Sequence, residues 1–415
     1  MNLIDFNPWW EYGDVPKEFN PNKKRELFGE ILRDLSKRRT DVIVGLRRVG
    51  KTTLMYQTIH KLIENGVDPK NILYFSFDEE VSDISSIVRE YEEKVLRDKI
   101  RNTRAYLFFD EIQKLEGWEN KVKILYDIYP KTKMVLSGSA SLNIMKGSSE
   151  SLAGRAKYHY LPPLSFREYL NFKDVEIRDY YIQLRTLKVM LMDFLKRGFP
   201  EAINMDEREI EEYIQDMILT RIIYRDIPES FKIRDVEIVN IIANHILRNS
   251  GVIINVDSLA SQFRRNRRTI SNALSYLEMT YIIKLVRNFR GSYIASSRKN
   301  KKAYALHSSL CKTDDEDVLI ETLIRAEANA QYYWRDTRRE VDFIINGDKI
   351  IAIEVKNKEK IDKKDVESLK YFSNKHRARE LYLVYSGDEE YEMEGVKIVP
   401  VPVFILKYAS SFTNF

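Results

Sequence analysis

The sequence feature that most constrains the fold is the stretch GLRRVGKTT at residues 45–53. It fits the pattern of a glycine, four residues, a second glycine, a lysine and a threonine. An apolar run (DVIV, residues 41–44) precedes it and indicates a buried strand, and apolar residues recur at helical spacing after Thr52. A strand, a glycine loop and a helix N-terminus in this order suit phosphate binding, because backbone N–H groups and the helix dipole then face the phosphates. A chance match is the alternative, and both flanking elements argue against it.

The residues of this loop have separate expected roles in binding ATP and Mg²⁺, the two predicted cofactors. Lys51 is expected to reach the β- and γ-phosphates, and the Thr52 hydroxyl to ligate Mg²⁺. The remaining positions supply backbone N–H groups. The predicted nucleotide-binding residues are therefore Gly45, Arg48, Val49, Gly50, Lys51, Thr52 and Thr53.

Two adjacent carboxylates follow another apolar strand, in the stretch AYLFFDE at residues 105–111. They lie at its carboxyl end, where open α/β sheets bind their ligands. Downstream of a phosphate loop, this pattern predicts that Asp110 holds Mg²⁺ through water and that Glu111 orients or deprotonates the attacking water. A further strand at residues 133–136 ends in Ser-Gly-Ser. Either Ser139 or Ser137 contacts the attacking water there, or the segment is a turn of small residues.

Length and composition limit the class of protein. A chain of 415 residues is too long for one ordinary domain, so we expect two to four. One cysteine excludes a disulfide framework, and five scattered histidines predict no zinc site. No apolar run reaches about 18 residues, and the N-terminus lacks a signal pattern, which predicts a cytoplasmic protein without a membrane partner. With a net charge of +5, any affinity for nucleic acid must come from local patches.

Five motifs together give the chain a specific resemblance. They are GLRRVGKTT, LFFDE, SGSA, LAGR before a strand, and PLSFREYL at residues 163–170. In combination they resemble the prokaryotic, mainly archaeal, AAA+-type P-loop ATPases. The resemblance implies an α/β fold: a parallel-sheet P-loop NTPase with a helical lid, a winged helix-turn-helix and a C-terminal α/β nuclease-like domain. The implied ranges are the ATPase core (23–165), the lid (166–230), the winged helix (231–311) and the nuclease-like domain (312–415). Before them, prolines at positions 8, 16 and 21 predict an extended N-terminal arm (1–22), whose Trp9 and Trp10 are expected to pack on the neighbouring domain.

Arg155 stands immediately before the strand at residues 157–161. In AAA+ ATPases, an arginine before the fifth core strand often serves as the finger that reaches a neighbouring subunit's γ-phosphate. The resemblance therefore implies a catalytic role for Arg155 and a homo-oligomer. The alternative is a surface arginine paired with Glu150.

The segment after the predicted lid has the element order of a winged helix-turn-helix. Helices are expected at residues 236–249, 258–263 and 269–279, followed by strands at 281–285 and 303–306. Basic residues flank the third helix and fill the loop between the strands, a loop that also contains Lys301 and Lys302. This arrangement predicts DNA binding, and a winged helix used for protein packing is the alternative. The predicted DNA-binding residues are Arg264, Arg265, Arg267, Arg268, Arg298 and Lys299.

The C-terminal block contains EVDFII at residues 340–345 and IIAIEVK at residues 350–356, which indicate paired strands. Asp342 and Glu354 are 354 − 342 = 12 positions apart, and Lys356 shares a strand face with Glu354. This block is similar to nucleases of the PD-(D/E)xK superfamily, and Glu321 matches the acidic residue of their first helix. The similarity implies that Asp342 and Glu354 bind Mg²⁺ and that Lys356 assists hydrolysis. The alternative is a domain that keeps this fold without the activity.

These patterns support two hypotheses about function. One is an ATPase that couples ATP hydrolysis to remodelling or cutting DNA. The other is a slow, nucleotide-driven regulatory switch with a DNA- or protein-binding module and an inactive nuclease-like scaffold. A P-loop kinase fits less well, because Glu111 places a water-activating group where a kinase must exclude water.

Overall fold

The computed structural model describes residues 3–79, 83–139, 152–233, 235–290 and 300–412. The chain divides into an N-terminal unit, residues 1–163 with 229–232, and a C-terminal unit, residues 164–228 with 233–415. Across those described ranges, no helix combines the length and the apolar content needed to cross a membrane.

A five-stranded parallel sheet forms the centre of the N-terminal unit. Its strand order is β2-β3-β4-β1-β5. The residues of β1 and β3 are buried, as expected of parallel strands covered on both faces. Because the sheet is parallel, the carboxyl ends of β1 and β3 lie at the same edge, with β4 between them. The strands are β1 (Thr40–Gly45), β2 (Ile72–Ser76), β3 (Tyr106–Asp110), β4 (Lys133–Ser139) and β5 (Ala156–Tyr160).

Helices cover both faces of this sheet, and their apolar side chains complete the core. The longest is the helix Lys51–Glu64, which buries Leu54, Met55 and Ile59. The other α-helices of at least eight residues are Leu27–Asp34, Ile84–Tyr91 and Trp118–Ile128. Shorter helical segments are Pro69–Asn71, Glu92–Leu96, Ile100–Asn102 and Ile112–Lys114.

The N-terminal arm is not extended, which corrects the expectation from its prolines. It forms two one-turn helices, Leu3–Phe6 and Trp9–Tyr12, that lie against the edge strand β2. The Asn7 amide donates to the Tyr74 carbonyl (2.9 Å) and accepts from its N–H (2.6 Å), and the indole of the fully buried Trp9 donates to the Ile72 carbonyl (3.1 Å). The arm therefore pairs backbone groups that an edge strand would otherwise leave open. The expected packing of Trp9 is confirmed.

The C-terminal unit is built on one nine-stranded mixed sheet. Its strand order is β13-β14-β12-β11-β10-β9-β7-β8-β6. The antiparallel strands β6, β8 and β7 continue into the rest of the sheet because β7 pairs in parallel with β9. The predicted winged-helix and nuclease-like segments therefore share a sheet. The strands are β6 (Val252–Ile254), β7 (Ile283–Asn288), β8 (Lys301–Ala305), β9 (Tyr332–Arg335), β10 (Glu340–Asn346), β11 (Ile350–Lys356), β12 (Glu380–Tyr385), β13 (Tyr391–Met393) and β14 (Val396–Pro400).

The segment predicted as a lid packs within the C-terminal unit. Phe166, Leu187 and Phe194 share an apolar core with Phe343 of β10 and Ile353 of β11. Its role as a lid stays a prediction. In the described part of this unit, the α-helices are Phe166–Phe172, Leu184–Phe194, Glu207–Glu212, Val236–Arg248, Val256–Gln262, Arg267–Met279, Glu316–Glu327, Glu367–His376 and Val401–Val403, and the helix Ile227–Phe231 spans the boundary between the units.

Candidate functional site

The glycines of the phosphate loop are required by its backbone geometry. Gly50 has φ of 94°, a left-handed conformation that favours glycine, and the helix Lys51–Glu64 begins directly after it. At Gly45 a Cβ atom would lie 2.3 Å from the Leu161 carbonyl oxygen, so the backbone approaches too closely for any side chain. The chain therefore passes from β1 through the glycine loop into the N-terminus of the helix, which is the order of elements that phosphate binding requires.

Lys51 lies inside this loop and is oriented by it. Its ammonium group donates hydrogen bonds to the carbonyl oxygens of Gly45 (3.3 Å) and Leu46 (3.0 Å), and the residue is only 6% exposed. In the described part of the chain, no carboxylate lies within ion-pair distance of Lys51. Its positive charge is therefore held in place by neutral groups and is not cancelled by an acid.

Asp110 is the centre of a hydrogen-bond network at the carboxyl edge of the sheet. Its Oδ2 atom accepts from Thr52 Oγ1 (2.6 Å) and from the Tyr74 hydroxyl (3.0 Å). Its Oδ1 atom accepts from the hydroxyl of Ser137 and from the backbone N–H of Glu111 (3.1 Å). Burial, followed by the charge of Asp110, raises the pKa of Tyr74, which keeps this phenol a hydrogen-bond donor.

The Thr52 and Asp110 oxygens fit Mg²⁺. Both are hard oxygen atoms of the kind that Mg²⁺ binds, and the hydrogen bond of 2.6 Å between them brings the two together at the end of β3. The predicted pairing of the phosphate loop with the acidic end of β3 is thus present in the structure. Thr52 and Asp110 would hold the ion, which would offset the charge of the phosphates.

Glu111 follows Asp110 in a left-handed backbone conformation, with φ of 50°. This turn directs the residue away from the strand, and its half-buried carboxylate accepts a hydrogen bond from the Gln113 amide. The hydroxyl of Ser137 donates a hydrogen bond to Asp110, so Ser137 contacts that carboxylate in this structure. Ser139 ends β4, and its side chain lies outside the described structure, so its predicted contact with the attacking water stays a prediction.

Sequence reasoning missed Arg25, which supports the phosphate loop. Its buried guanidinium donates to the carbonyl of Val49 in the loop (2.5 Å) and to those of Pro162 (2.8 Å) and Pro163 (3.3 Å) after β5. These bonds tie the loop to the chain that leaves the sheet. In the sequence, Arg25 is only a polar residue before a helix, and no local signal identifies its three acceptors.

Arg155 is placed at the opposite edge of the sheet from the phosphate loop. Its carbonyl accepts from the N–H of Thr40, the first residue of β1, whereas the loop begins at Gly45, the last. Five residues of extended strand separate these ends by about 16 Å. The guanidinium pairs with Asp127 (3.2 Å), whereas the alternative partner considered from the sequence, Glu150, lies outside the described residues. Arg155 therefore does not reach the phosphates of its own chain.

Glu30 and Asp34 of the helix Leu27–Asp34 and His159 of β5 come close enough together to hold a metal ion. The ammonium of Lys157, however, contacts both Glu30 (2.5 Å) and Asp34 (2.6 Å). Burial alone would raise the pKa of Asp34, but hydrogen bonds from Lys157, Lys37 and Arg39 lower it, so this carboxylate is ionised and balanced by cations. The cluster is therefore an ion-pair network.

The C-terminal unit brings together the carboxylates that the sequence suggested. Asp342 of β10 accepts from the backbone N–H of Val355 on β11 (2.9 Å), and Lys356 contacts Glu354 (2.6 Å) on the face that both share. Burial, then the nearby charge of Asp342, raises the pKa values of both Glu354 and Glu321. Among the described atoms, Glu354 Oε2 is buried without a hydrogen-bond partner.

Lys302 of β8 also enters this acidic cluster, which corrects its expected place in a basic, DNA-facing wing. The residue is 6% exposed, and its ammonium lies 2.5 Å from Glu340, 3.6 Å from Glu321 and 4.0 Å from Asp342. Burial alone would lower the pKa of Lys302, but these three carboxylates raise it, so the ammonium stays charged.

The arginines before and at the start of the helix Arg267–Met279 lie on the surface. All four are exposed, and two of them make surface ion pairs: Arg265 with Asp235 (3.1 Å) and Arg267 with Asp257 (3.2 Å). Such exposed pairs contribute little stability and exchange readily for other partners. Arg298 and Lys299 lie outside the described residues. The four described arginines are Arg264, Arg265, Arg267 and Arg268.

Comparison with protein families divides the chain into three matched regions. The AAA domain family matches residues 37–170, which contain the phosphate loop, Asp110 and Arg155. Residues 37–170 form an AAA-type P-loop ATPase domain. Two domains of unknown function match further parts of the chain, DUF8612 over residues 194–313 and DUF4143 over residues 316–404.

Similar whole proteins come from both archaea and bacteria. An uncharacterized protein of Methanocaldococcus jannaschii is 29% identical over 335 residues, which cover 76% of this chain and 74% of that protein. An uncharacterized protein of Haemophilus influenzae is 24% identical over 387 residues, covering 88% and 94%. Among solved structures, AMPPCP-bound DnaA from Aquifex aeolicus is 14% identical with a TM-score of 0.33, covering 64% of this chain and 92% of DnaA. A likeness at that TM-score carries no functional conclusion.

Proposed function

We propose that the N-terminal unit binds ATP with Mg²⁺ and hydrolyses it. The observation that carries this proposal is the arrangement at the carboxyl edge of its sheet. There, a lysine that has no acidic partner among the described residues lies in a glycine loop, and the loop's Thr52 is hydrogen-bonded to Asp110. The match to the AAA domain family supports the same function.

Each residue of this site has a distinct role in the proposed reaction. Lys51 and the loop N–H groups bind the β- and γ-phosphates, while Thr52 and Asp110 hold Mg²⁺. Glu111 orients a water molecule and takes its proton as the water oxygen attacks the γ-phosphorus. The bond from that phosphorus to the oxygen of ADP then breaks, which gives ADP and inorganic phosphate.

Arg155 is the proposed residue through which neighbouring copies complete this site. Because it lies at the opposite edge of the sheet from the phosphate loop of its own chain, a catalytic role for it requires a second copy of the chain. We expect phosphate release from ATP, per chain, to rise with protein concentration. Arg155→Ala should lower turnover by about tenfold or more and spare ATP affinity, because it removes a cation that stabilises the transition state. The measurement is phosphate release at saturating ATP and Mg²⁺ across a dilution series.

Arg38 provides a matched control for this experiment. Its guanidinium lies over the ring of Tyr126 at 4.7 Å, and that of Arg155 lies over the same ring at 5.9 Å. Arg38→Ala removes an equal charge from the same neighbourhood and should leave turnover unchanged. A rate per chain that does not depend on concentration would remove the role between subunits. The absence of any turnover would overturn the proposed hydrolysis and favour a nucleotide-driven switch.

We further propose that the C-terminal unit binds duplex DNA through the helix Arg267–Met279. Three observations support this proposal: the order of three helices and three antiparallel strands, the exposed arginines at the start of the third helix, and their weak ion pairs. The alternative is a winged helix that binds a protein. The two differ in salt dependence, because each phosphate contact releases counterions from DNA.

Arg267→Ala combined with Arg268→Ala should weaken duplex binding and flatten the dependence of log affinity on log salt by about one to two units. The measurement is fluorescence anisotropy with labelled duplex over a range of salt concentrations. Arg178→Ala combined with Arg208→Ala is the matched control, because both are exposed arginines of the same unit in surface ion pairs. An equal slope in the wild type and both double variants would favour the protein-binding alternative.

A further inference from the structure

The acidic cluster of the C-terminal unit already contains a cation of its own. The Lys302 ammonium is within 4.0 Å of three carboxylates, those of Glu340, Glu321 and Asp342. Lys302 lies on β8, Glu340 and Asp342 lie on β10, and Glu321 lies on the helix Glu316–Glu327. The contact therefore links β8 to β10 within one sheet. We infer that Lys302 is the resident cation of this cluster and competes with divalent metal ions for its carboxylates.

The surroundings of Lys302 hold its side chain in this position. Its ammonium lies 5.5 Å from the ring centre of Tyr333 and 6.0 Å from that of Tyr304, so aromatic rings flank the charge. The fully buried Tyr304 also donates a hydrogen bond to Glu321 (2.6 Å), which fixes one of the three carboxylates. The lysine is therefore part of a packed site and is not a mobile surface side chain.

A divalent ion would have to displace this ammonium. Bonds from Mg²⁺ or Ca²⁺ to oxygen are about 2.0–2.6 Å long, so an ion shared by Glu321, Glu340 and Asp342 would overlap the space that Lys302 fills. The nearby Lys356 pairs with Glu354 and adds a second positive charge to the cluster. The unpartnered Oε2 atom of Glu354 is the one described feature that favours a further cation, and the experiment must include it.

The charge and the shape of Lys302 can be separated by one substitution. Lys302→Met keeps most of the buried side chain and removes the ammonium, which leaves the carboxylates without their cation. We expect Mn²⁺ affinity of the nucleotide-free full chain to increase by at least about tenfold in this variant. The measurement is free Mn²⁺ during a titration, followed by its electron paramagnetic resonance signal. Combining Lys302→Met with Asp342→Asn should remove the gain, which assigns it to this site.

Lys301 supplies the matched control. It precedes Lys302 on β8, points to the opposite face of the strand and is partly exposed. Lys301→Met should leave Mn²⁺ affinity at the wild-type value. An equal gain in both lysine variants, or no gain in Lys302→Met, would overturn the inference.

Thermal unfolding will show whether Lys302→Met folds. The wild type gives a test that does not depend on that result. If the inference is correct, the wild type has no saturable Mn²⁺ site that is lost on Asp342→Asn or Glu354→Gln. Tight Mn²⁺ binding in the wild type that either substitution abolishes would overturn the inference, because Lys302 would then coexist with the metal. Neither result depends on ATP hydrolysis, so the proposed ATPase activity can fail or hold separately.

Discussion

Glu111→Gln is expected to lower ATP turnover by about 10²- to 10⁴-fold, the usual contribution of a general base. The amide keeps the size of the side chain and can still accept from Gln113, but it cannot take a proton from water. Asp110, Thr52 and Lys51 are unchanged, so ATP and Mg²⁺ should bind as in the wild type. Phosphate release at saturating ATP measures the first effect, and an equilibrium titration with a fluorescent ATP analogue measures the second.

Glu116→Gln is the appropriate control for this substitution. Glu116 is an exposed carboxylate in the turn before the helix Trp118–Ile128, close in sequence to Glu111. The same chemical change there should leave turnover at the wild-type rate. If Glu111→Gln hydrolysed ATP as fast as the wild type, Glu111 would not be the base. If both variants lost activity equally, the loss would reflect charge in this region in general.

The residues of the proposed ATP site follow from the sequence because the chemistry that predicts them is local. The phosphate loop needs glycines at fixed positions within a few residues, and the carboxylates directly follow a run of buried residues. Apolar runs also identify parallel strands, whose carboxyl ends share an edge. Those two rules place Thr52 and Asp110 near one another, and the structure gives 2.6 Å between their oxygens. Their shared binding of Mg²⁺ stays a prediction.

Contacts between distant parts of the chain were not predictable from local patterns. Arg25 supports a loop 24 positions away, and Asn7 bonds to a strand 67 positions away. The prolines of the arm predicted an extended segment, whereas the two short helices that form instead are held by hydrogen bonds to a strand that is distant in sequence. Neither a buried guanidinium nor a capped edge strand has a pattern of its own in one sequence.

Lys302 shows how composition alone can assign a residue to the wrong surface. It stands in a basic stretch between two predicted strands, which favoured an exposed wing. Side chains alternate across a strand, so Lys301 and Lys302 face opposite sides of β8. Which side meets the acidic cluster depends on the pairing of β7 with β9, a contact between the two segments that were predicted as separate domains. The sequence contained both segments but no signal for that pairing.

Lys51→Ala is expected to weaken ATP binding by about 10²- to 10⁴-fold. The ammonium should donate two charge-assisted hydrogen bonds to the β- and γ-phosphates, each worth about 1.5–3 kcal/mol. In the structure, Lys51 donates to the backbone carbonyl oxygens of Gly45 and Leu46. These oxygens are neutral and cannot replace the positive charge of Lys51. The measurement is an equilibrium titration with a fluorescent ATP analogue, and hydrolysis should be lost together with binding.

Lys61→Ala is the matched control, because Lys61 lies on the same helix and pairs at the surface with Glu64 (2.6 Å). It removes the same charge from the helix without touching the loop, so ATP affinity should stay at the wild-type value. A Lys51→Ala variant that binds ATP as tightly as the wild type would show that this lysine does not contact the phosphates.

An equal loss in both variants would instead indicate long-range attraction between a basic helix and the nucleotide. That attraction is screened by salt at surface positions, whereas the direct contact of a buried ammonium is screened much less. Repeating both titrations at high salt therefore separates the two explanations.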